Sequence, residues 1–104
     1  MLNFLKSIFG GGPKADYKAL VANGAIIVDV RTPGEFNEGH IKQSINIPLN
    51  LLPQKVNELK KKNRPIITVC RSGSRSSMAK SLLTKQGLEV HNGGGWTSLN
   101  EKLS

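Results

Sequence analysis

The sequence predicts an α/β domain with a mainly parallel central sheet flanked by helices, and three observations carry that prediction. Apolar runs of strand length alternate with segments that have helical spacing. The run Ala25–Val30 (AIIVDV) is almost continuously apolar, which is typical of a parallel strand covered on both faces. Glycines follow the helical segments, where they allow the chain to turn back toward the next strand.

The elements of the first half follow from apolar spacing and from the positions of Gly and Pro. They are, in order, a helix over residues 13–23 that ends at Gly24, the strand Ala25–Val30, a short turn or helix that begins at Pro33 and contains Phe36, and a short strand over residues 44–47. Asp29 and Arg31 come at the end of the first strand, so both are expected at the carboxyl edge of the sheet.

The second half continues the alternation. It predicts a helix over residues 51–62, a strand over 66–70, a helix that stops at Gly87, a strand over 88–91, a turn over 92–95 and a final helix over 96–103. Asn50 is expected to cap the helix over 51–62, and Ser74 or Ser76 is expected to cap the helix that follows Cys70.

Length and composition indicate one domain. The chain has 104 residues, which is enough for a single buried core and too few for two. A hydrophobic share of 38% fits a soluble globular protein, and one cysteine excludes an internal disulfide. We therefore expect a reducing, cytoplasmic location. Within the chain, residues 1–12 are expected to form an apolar segment and glycine joint, and residues 13–104 the domain.

The amino-terminal segment, MLNFLKSIFGGG, places Leu2, Leu5, Ile8 and Phe9 on an apolar stripe if it is helical. Lys6 interrupts the apolar run and no small-residue cleavage pattern follows, so the segment does not fit a signal peptide. It is also too short to cross a bilayer. A short helix docked on the domain, or a frayed terminus, is favoured over a weak membrane-surface anchor.

The net charge of +8 comes from 15 Lys and Arg residues against 7 Asp and Glu residues. Such a charge would suit an anionic partner. Much of the excess lies within residues 55–64, however, and a run of that kind is usually a solvated helix face; few aromatic residues are present to stack on bases. We expect no nucleic-acid binding, and the basic face Lys60–Arg64 stays a candidate surface for docking a partner protein.

The stretch IITVCRSGSRS places the only cysteine, Cys70, between a strand and a helix. The N–H groups of a tight loop over Arg71–Arg75, together with the positive end of the following helix, would converge on one point and form an anion site. A thiol there, flanked by Arg71 and Arg75, should have a lowered pKa. The alternative is a buried structural cysteine, which the arginines and the Gly/Ser loop disfavour.

Three motifs resemble those of rhodanese domains. The first is IIVDVRTPGEFNEGHIKQSINIP over residues 26–48, the second is CRSGSRS at Cys70, and the third is NGGGW over residues 92–96. They occur in the right order and cover about residues 25–99. The resemblance implies a single-domain rhodanese-like fold and a sulfurtransferase that moves a sulfane sulfur from thiosulfate or a persulfide donor, through a Cys70 persulfide, to cyanide or a thiol acceptor.

The resemblance also implies roles for the loop residues. Cys70 would be the catalytic nucleophile and sulfur carrier, and the substrate-binding residues would be Arg71, Ser72, Gly73, Ser74 and Arg75. The two arginines would bind the anionic donor, and no cofactor or metal is implied. A second hypothesis is a persulfide carrier or interaction module that delivers sulfur to a partner protein. Either way, a chain with one cysteine must pass its sulfur to an external acceptor.

Loop length separates this chemistry from a rival one. Cys70 and Arg75 form a C-x4-R pattern, whereas cysteine phosphatases and the related arsenate reductases use C-x5-R, whose extra residue widens the cradle for a tetrahedral anion. Ser76 stands at the position of that arginine. A phosphatase is therefore disfavoured.

Other matched residues have plainer interpretations. Asp29 and Arg31 are expected to form an ion pair that ties loops together, with orientation of the active loop as the functional alternative. Glu35 and His40 are expected to stabilise a turn. Trp96 is expected in the core or in a pocket wall.

Overall fold

Helices and strands alternate through the computed structural model, which describes residues 15–104. The strands are β1 (Ile26–Asp29), β2 (Ile45–Asn46), β3 (Ile66–Cys70) and β4 (Val90–Gly95). The helices are α1 (Tyr17–Ala22), α2 (Pro33–Glu38), α3 (Leu52–Lys62), α4 (Ser74–Lys85) and α5 (Trp96–Leu103), with a 3-10 turn (Leu49–Leu51) before α3. The amino-terminal segment 1–12 and the predicted helix start at Pro13 lie outside the described residues.

The four strands form one sheet in the order β2-β1-β3-β4, and every neighbouring pair is parallel. This confirms the predicted α/β class. Because all strands run the same way, their carboxyl ends lie at one edge of the sheet. Asp29 and Cys70 end β1 and β3, so both lie at that edge, which we call the carboxyl edge.

The sheet is covered on both faces, as the apolar run of β1 predicts. Cys70 is at most 1% exposed and packs in the cluster that contains Val28, Val30, Leu52, Val56, Leu59, Ile66, Ala79 and Leu83. The second cluster contains Ile27, Ile41, Ile67, Val69 and Leu99, with Tyr17, Leu20, Val21 and Trp96 packed against it. Two cores on a parallel sheet hold β3, and with it Cys70, rigidly between layers.

Helix starts are fixed by side-chain caps at two places. The Asp16 side chain accepts a hydrogen bond from the Ala19 N–H at 3.1 Å and starts α1. Thr32 and Glu35 form a reciprocal capping box that starts α2. The predicted cap at Asn50 is wrong, because the 3-10 turn includes that residue and α3 begins at Leu52 with no side-chain cap.

The helix after Cys70 also begins differently from the prediction. Gly73 occupies the cap position of α4 with φ of 105°, and no side-chain cap bond is formed. Neither Ser74 nor Ser76 caps the helix. A left-handed glycine makes the tight turn there, which Ser could adopt only with strain, and the turn leaves Ser76 buried beside the sulfur of Cys70.

The last strand was predicted too early, with Asn92–Gly95 as a turn. In the structure β4 runs through Gly95 and pairs with β3, with a bulge that leaves Gly93 between the pairs Thr68 with Asn92 and Val69 with Gly94. A Cβ on Gly93 would lie 2.9 Å from side-chain carbons of Ile67 and Val69. Gly93 therefore serves close strand packing, and the segment forms a strand and not a turn.

Candidate active site

The Cys70 sulfur lies at the carboxyl end of β3, where the chain turns into α4. The Gly73 N–H donates a hydrogen bond to Sγ at 2.9 Å, and the Ser76 hydroxyl lies 3.5 Å from Sγ. The left-handed turn at Gly73 directs this N–H toward the sulfur. The loop therefore directs a main-chain donor at Sγ, and the first turn of α4 places the Ser76 hydroxyl beside it.

Hydrogen bonding lowers the pKa of Cys70. Burial raises the pKa of the thiol, but the Ser76 hydroxyl and the main-chain N–H groups of Ser76, Gly73 and Ser72 together outweigh it, so the pKa lies below its ordinary value. The direction agrees with the sequence-based expectation. The loop N–H groups act as the sequence predicts, and the structure adds the buried hydroxyl of Ser76 to them.

Ser76 and Asn92 form a second layer behind the sulfur. Ser76 Oγ lies 2.7 Å from Asn92 Oδ1 and 3.0 Å from the Gly73 carbonyl oxygen. Asn92 Oδ1 also accepts a hydrogen bond from the Gly94 N–H at 2.9 Å. The β4 bulge thereby presents a fixed amide oxygen to the hydroxyl that faces Cys70.

Arg75 forms an ion pair with Glu35 of α2. Its two terminal nitrogens donate to the two oxygens of Glu35 at 2.7 and 2.9 Å, a bidentate arrangement. The hydrogen bond with Glu35 raises the pKa of Arg75 against a smaller opposing effect of burial, and the negative charges of Glu35, Cys70 and Asp29 raise it further. Arg75 thus contributes positive charge beside the sulfur, while its two terminal nitrogens are bound by the Glu35 carboxylate.

Asp29 and Arg31 form a buried pair at the end of β1. Arg31 Nη2 lies 2.7 Å from Asp29 Oδ2, and the two side chains are 5% and 0% exposed. The Arg31 guanidinium also donates to the carbonyl oxygens of Glu35 and Gly39, and it lies 4.8 Å from the centre of the Trp96 ring. The pair joins β1 to both ends of α2, as the ion-pair interpretation expects.

A cleft of about 240 Å³ opens beside the loop over residues 71–75. Its lining residues are Arg31, Glu35, Glu38, Gly39, Arg71 and Trp96. Arg71 is exposed there, and no described residue accepts a hydrogen bond from its side chain. Trp96 forms a wall of this cleft, as predicted. The cleft can admit a small anion next to a guanidinium that is not engaged by a carboxylate.

The model of the family described as "Rhodanese-like domain" matches residues 14–102. The chain belongs to this family. The resemblance seen in the three motifs is confirmed, and with it the rhodanese-like fold. None of the helices within residues 15–104 is long and apolar enough to span a bilayer.

The rhodanese-like domain is similar to proteins named for sulfur transfer. A sulfurtransferase of Allochromatium vinosum is 39% identical over 62 residues, which cover 60% of this chain and 57% of that protein. The thiosulfate sulfurtransferase PspE of Escherichia coli is 33% identical over 70 residues, which cover 65% of this chain and 67% of PspE. The chain thus matches little more than half the length of the Allochromatium protein.

A solved structure described as "rhodanese with anions from E. coli" superposes on this rhodanese-like domain with a TM-score of 0.65. The two are 30% identical, and the match covers 71% of this chain and 89% of the other. Together with the family match, this likeness places the four-stranded parallel sheet and its flanking helices in the rhodanese-like fold.

Three contributors to the site of the rhodanese-like domain escaped prediction. The sequence pattern assigns Glu35 only to a turn, yet Glu35 also holds Arg75, 40 residues away. The same pattern presents Ser76 as a helix-cap candidate and as the residue at the phosphatase arginine position, and it presents Asn92 as part of a turn. The signal for Ser76 was present, because the first turn of a helix that follows a nucleophile lies beside that nucleophile.

The basic face Lys60–Arg64 lies far from the thiol of the rhodanese-like domain. It ends α3 and precedes β3, so it lies at the amino-terminal edge of the sheet. The length of β3, about 13 Å at 3.3 Å per residue, separates that edge from Cys70. Two clefts of about 450 and 490 Å³ border Arg64 at this edge. A partner docked there would not reach the sulfur directly.

The ion pair between Glu35 and Arg75 predicts that the stability of the fold falls at acidic pH. The Arg75 hydrogen bonds, with that of the Thr32 N–H, lower the pKa of Glu35 from 4.5 to about 2. Stability from a lowered carboxyl pKa is complete above the unfolded value and is lost as pH falls toward the folded value. We expect Glu35→Gln, which retains a capping side chain, to lower stability at neutral pH and to flatten its decline between about pH 5 and 2, measured by urea unfolding.

Glu38→Gln is the matched control, because Glu38 lies on the same helix and has no ion-pair partner among the described residues. It should leave the pH dependence of unfolding close to that of the wild type. If the stability of Glu35→Gln declines at low pH as steeply as that of the wild type, this ion pair does not contribute to stability.

Proposed function

We propose that the domain is a sulfurtransferase that moves a sulfane sulfur from thiosulfate or a persulfide donor, through a Cys70 persulfide, to cyanide or a thiol acceptor. The observation that carries the proposal is the Cys70 sulfur at the mouth of a loop whose N–H groups and buried hydroxyl favour its thiolate. A cytoplasmic location belongs to the same proposal, because reducing surroundings would keep that thiolate available.

The first step is loading of the cysteine. The Cys70 thiolate attacks the outer sulfur of the donor and forms a new S–S bond. The donor's own bond to that sulfur breaks, and its electron pair leaves with sulfite when thiosulfate is the donor. Negative charge then lies on the outer sulfur of the persulfide, where N–H groups of the loop over residues 71–75 can stabilise it.

The second step is discharge. Cyanide or a thiolate attacks the outer sulfur, the S–S bond of the persulfide breaks, and its electron pair returns to Cys70 Sγ. A chain with one cysteine has no internal thiol for this step, so the acceptor comes from outside. No general base is needed, because the nucleophile is already a thiolate.

Arg71 is the proposed binding group for the anionic donor. Its exposed guanidinium lines the cleft beside the loop, while Arg75 is engaged by Glu35. Arg75 then acts through its charge and its hold on the loop. Ser72, Gly73 and Ser74 complete the proposed donor site through the loop backbone, of which Gly73 already donates to the sulfur.

Intact mass spectrometry tests the proposal. Incubation with thiosulfate should add one sulfur atom to the wild type and none to Cys70→Ser, and cyanide should then remove that sulfur as thiocyanate. Arg71→Gln should load roughly tenfold more slowly at low thiosulfate, as expected for the loss of one charged hydrogen-bonding group. Arg64→Gln, which removes a guanidinium at the opposite edge, is the matched control and should load normally. Failure to load from any persulfide donor would contradict sulfur transfer.

The persulfide carrier is the second candidate. The observation that favours it is the burial of Cys70, which is only 1% exposed. A buried persulfide is shielded from reaction with small thiols in solution. A carrier would load normally but discharge slowly to cyanide and small thiols. Rapid discharge to those small acceptors would favour the enzyme.

A further inference from the structure

The hydroxyl of Ser76 lies near three hydrogen-bond acceptors but has only one proton to donate. Its oxygen lies 3.5 Å from Cys70 Sγ, 2.7 Å from Asn92 Oδ1 and 3.0 Å from the Gly73 carbonyl oxygen. A serine hydroxyl has one proton and so donates one full hydrogen bond at a time. The shortest of the three distances is the one to Asn92, so the amide oxygen is the strongest rival of the sulfur for that proton.

Asn92 is a fixed acceptor. Its Oδ1 accepts the Gly94 N–H at 2.9 Å, which requires that the oxygen and not the amide nitrogen face this site. Its main-chain carbonyl accepts the Tyr17 hydroxyl, also at 2.9 Å. The β4 bulge adds a further constraint on the backbone. The competition is therefore settled by rotation of the Ser76 hydroxyl and not by movement of Asn92.

We propose that Asn92 is a positioning residue that competes with the Cys70 sulfur for the Ser76 hydroxyl proton and so sets how readily the thiolate forms. While the sulfur is protonated, S–H donates to Ser76 Oγ, and the hydroxyl donates to Asn92 Oδ1. When the thiol releases its proton to solvent, the hydroxyl turns to the thiolate and leaves Asn92. Thiolate formation therefore requires loss of the 2.7 Å bond.

The same competition affects discharge, a part of the inference that rests on the proposed function. In the persulfide, Sγ is neutral and the charge lies on the outer sulfur, so the hydroxyl returns to Asn92. As the S–S bond breaks, the electron pair returns to Sγ, and donation from Ser76 stabilises the leaving thiolate. Asn92 thus slows discharge, and Ser76 speeds it.

Other charged or titratable groups surround this network. They are Arg71 in the loop, Arg75 on α4, Glu35 on α2, Asp29 and Arg31 at the end of β1, Tyr17 on α1, and His91 on β4, whose ring contacts Glu89. Substitutions at Ser76 and Asn92 leave all of them in the chain. Differences among those variants therefore isolate the hydroxyl and the amide.

Ultraviolet titration of the thiolate tests the inference without any turnover. Cys70 is the only cysteine, and Cys70→Ser supplies the blank. We expect Asn92→Ala to lower the pKa of Cys70 and Ser76→Ala to raise it. The double variant should titrate like Ser76→Ala, because Asn92 acts only through the hydroxyl. A raised or unchanged pKa in Asn92→Ala, or a full Asn92 effect in the absence of Ser76, would overturn the inference.

Asn92→Asp gives a second test that keeps the acceptor for the Gly94 N–H. It should raise the pKa of Cys70 more in the presence of Ser76 than in the Ser76→Ala background. The negative charge of the introduced carboxylate acts on the sulfur in both backgrounds, but that carboxylate can compete for the hydroxyl proton only where Ser76 is present. Equal shifts in the two backgrounds would contradict the competition. This variant decides the question even when Asn92→Ala does not fold.

Single-turnover discharge of preloaded protein to cyanide completes the test. Ser76→Ala should discharge roughly tenfold more slowly, as expected for one hydrogen bond to a charged sulfur, and Asn92→Ala should discharge faster than the wild type. Slower discharge in Asn92→Ala would count against the inference. If no variant forms a persulfide, the proposed function fails, and the titrations still decide whether Asn92 competes for the proton.

Discussion

Replacement of Arg31 by Met should lower the free energy of unfolding by about 3–5 kcal/mol, the usual effect of removing one partner from a buried ion pair. The Asp29 carboxylate is fully buried and receives three hydrogen-bond contacts from the Arg31 guanidinium. Met fills part of the space but leaves that carboxylate without its counter-charge. Urea unfolding at neutral pH measures the loss.

A double variant identifies the cause. In the wild type, the main-chain N–H of residue 31 donates to Asp29 Oδ1 at 3.0 Å. Adding Asp29→Asn to Arg31→Met removes the uncompensated charge and keeps an amide oxygen to accept that N–H. The double variant should therefore be more stable than Arg31→Met alone. If it is less stable, lost packing and lost bonds to α2 explain the effect better than the stranded charge.

The same pair accounts for a link between stability and the site. Arg31 donates to carbonyl oxygens at Glu35 and Gly39, so it fixes α2 at the carboxyl edge of the sheet. Glu35 on that helix then holds Arg75 beside the loop. Loss of Arg31 should consequently release Arg75 as well as weaken the fold. We therefore propose that the ion pair acts on the loop indirectly, through α2.

Local patterns were sufficient to predict most of the fold. The run Ile66–Cys70 was predicted as a strand and is β3, because five buried apolar or β-branched residues before a glycine loop leave little alternative. The position of Cys70 followed from the same run. Parallel strand direction then placed Asp29 at the same edge without any knowledge of side-chain contacts.

Tertiary pairs could not be predicted in the same way. Ser76 meets Asn92 across 16 residues and Arg75 meets Glu35 across 40, and no spacing rule within a helix or strand links positions so far apart. The second half of β4 is missed for another reason. Asn92 and the three glycines after it have no alternation of apolar and polar side chains, so the strand character of this part comes only from pairing with β3.

If Cys70 loads sulfur as proposed, Gly95→Ala should slow that loading roughly 100-fold, because it displaces the loop over residues 71–75. A Cβ at this position would lie 2.9 Å from the Arg71 carbonyl oxygen, closer than such contacts allow, and Gly95 pairs directly with Cys70. The neighbour is backbone and cannot rotate away, so the loop must shift. A shift near 1 Å at reacting groups typically costs about two orders of magnitude in rate. Loading followed by intact mass gives the rate.

Gly34→Ala is the matched control for Gly95→Ala. Gly34 lies in α2, and an added Cβ there meets nothing within 4 Å. Alanine should stabilise the fold by about 0.4–1 kcal/mol and leave loading unchanged. The two variants add the same methyl group, so a loss confined to Gly95→Ala assigns the effect to the approach of β4 to the loop. Normal loading by a folded Gly95→Ala protein would show that the N–H cradle tolerates the shift, and that the close approach serves strand packing alone.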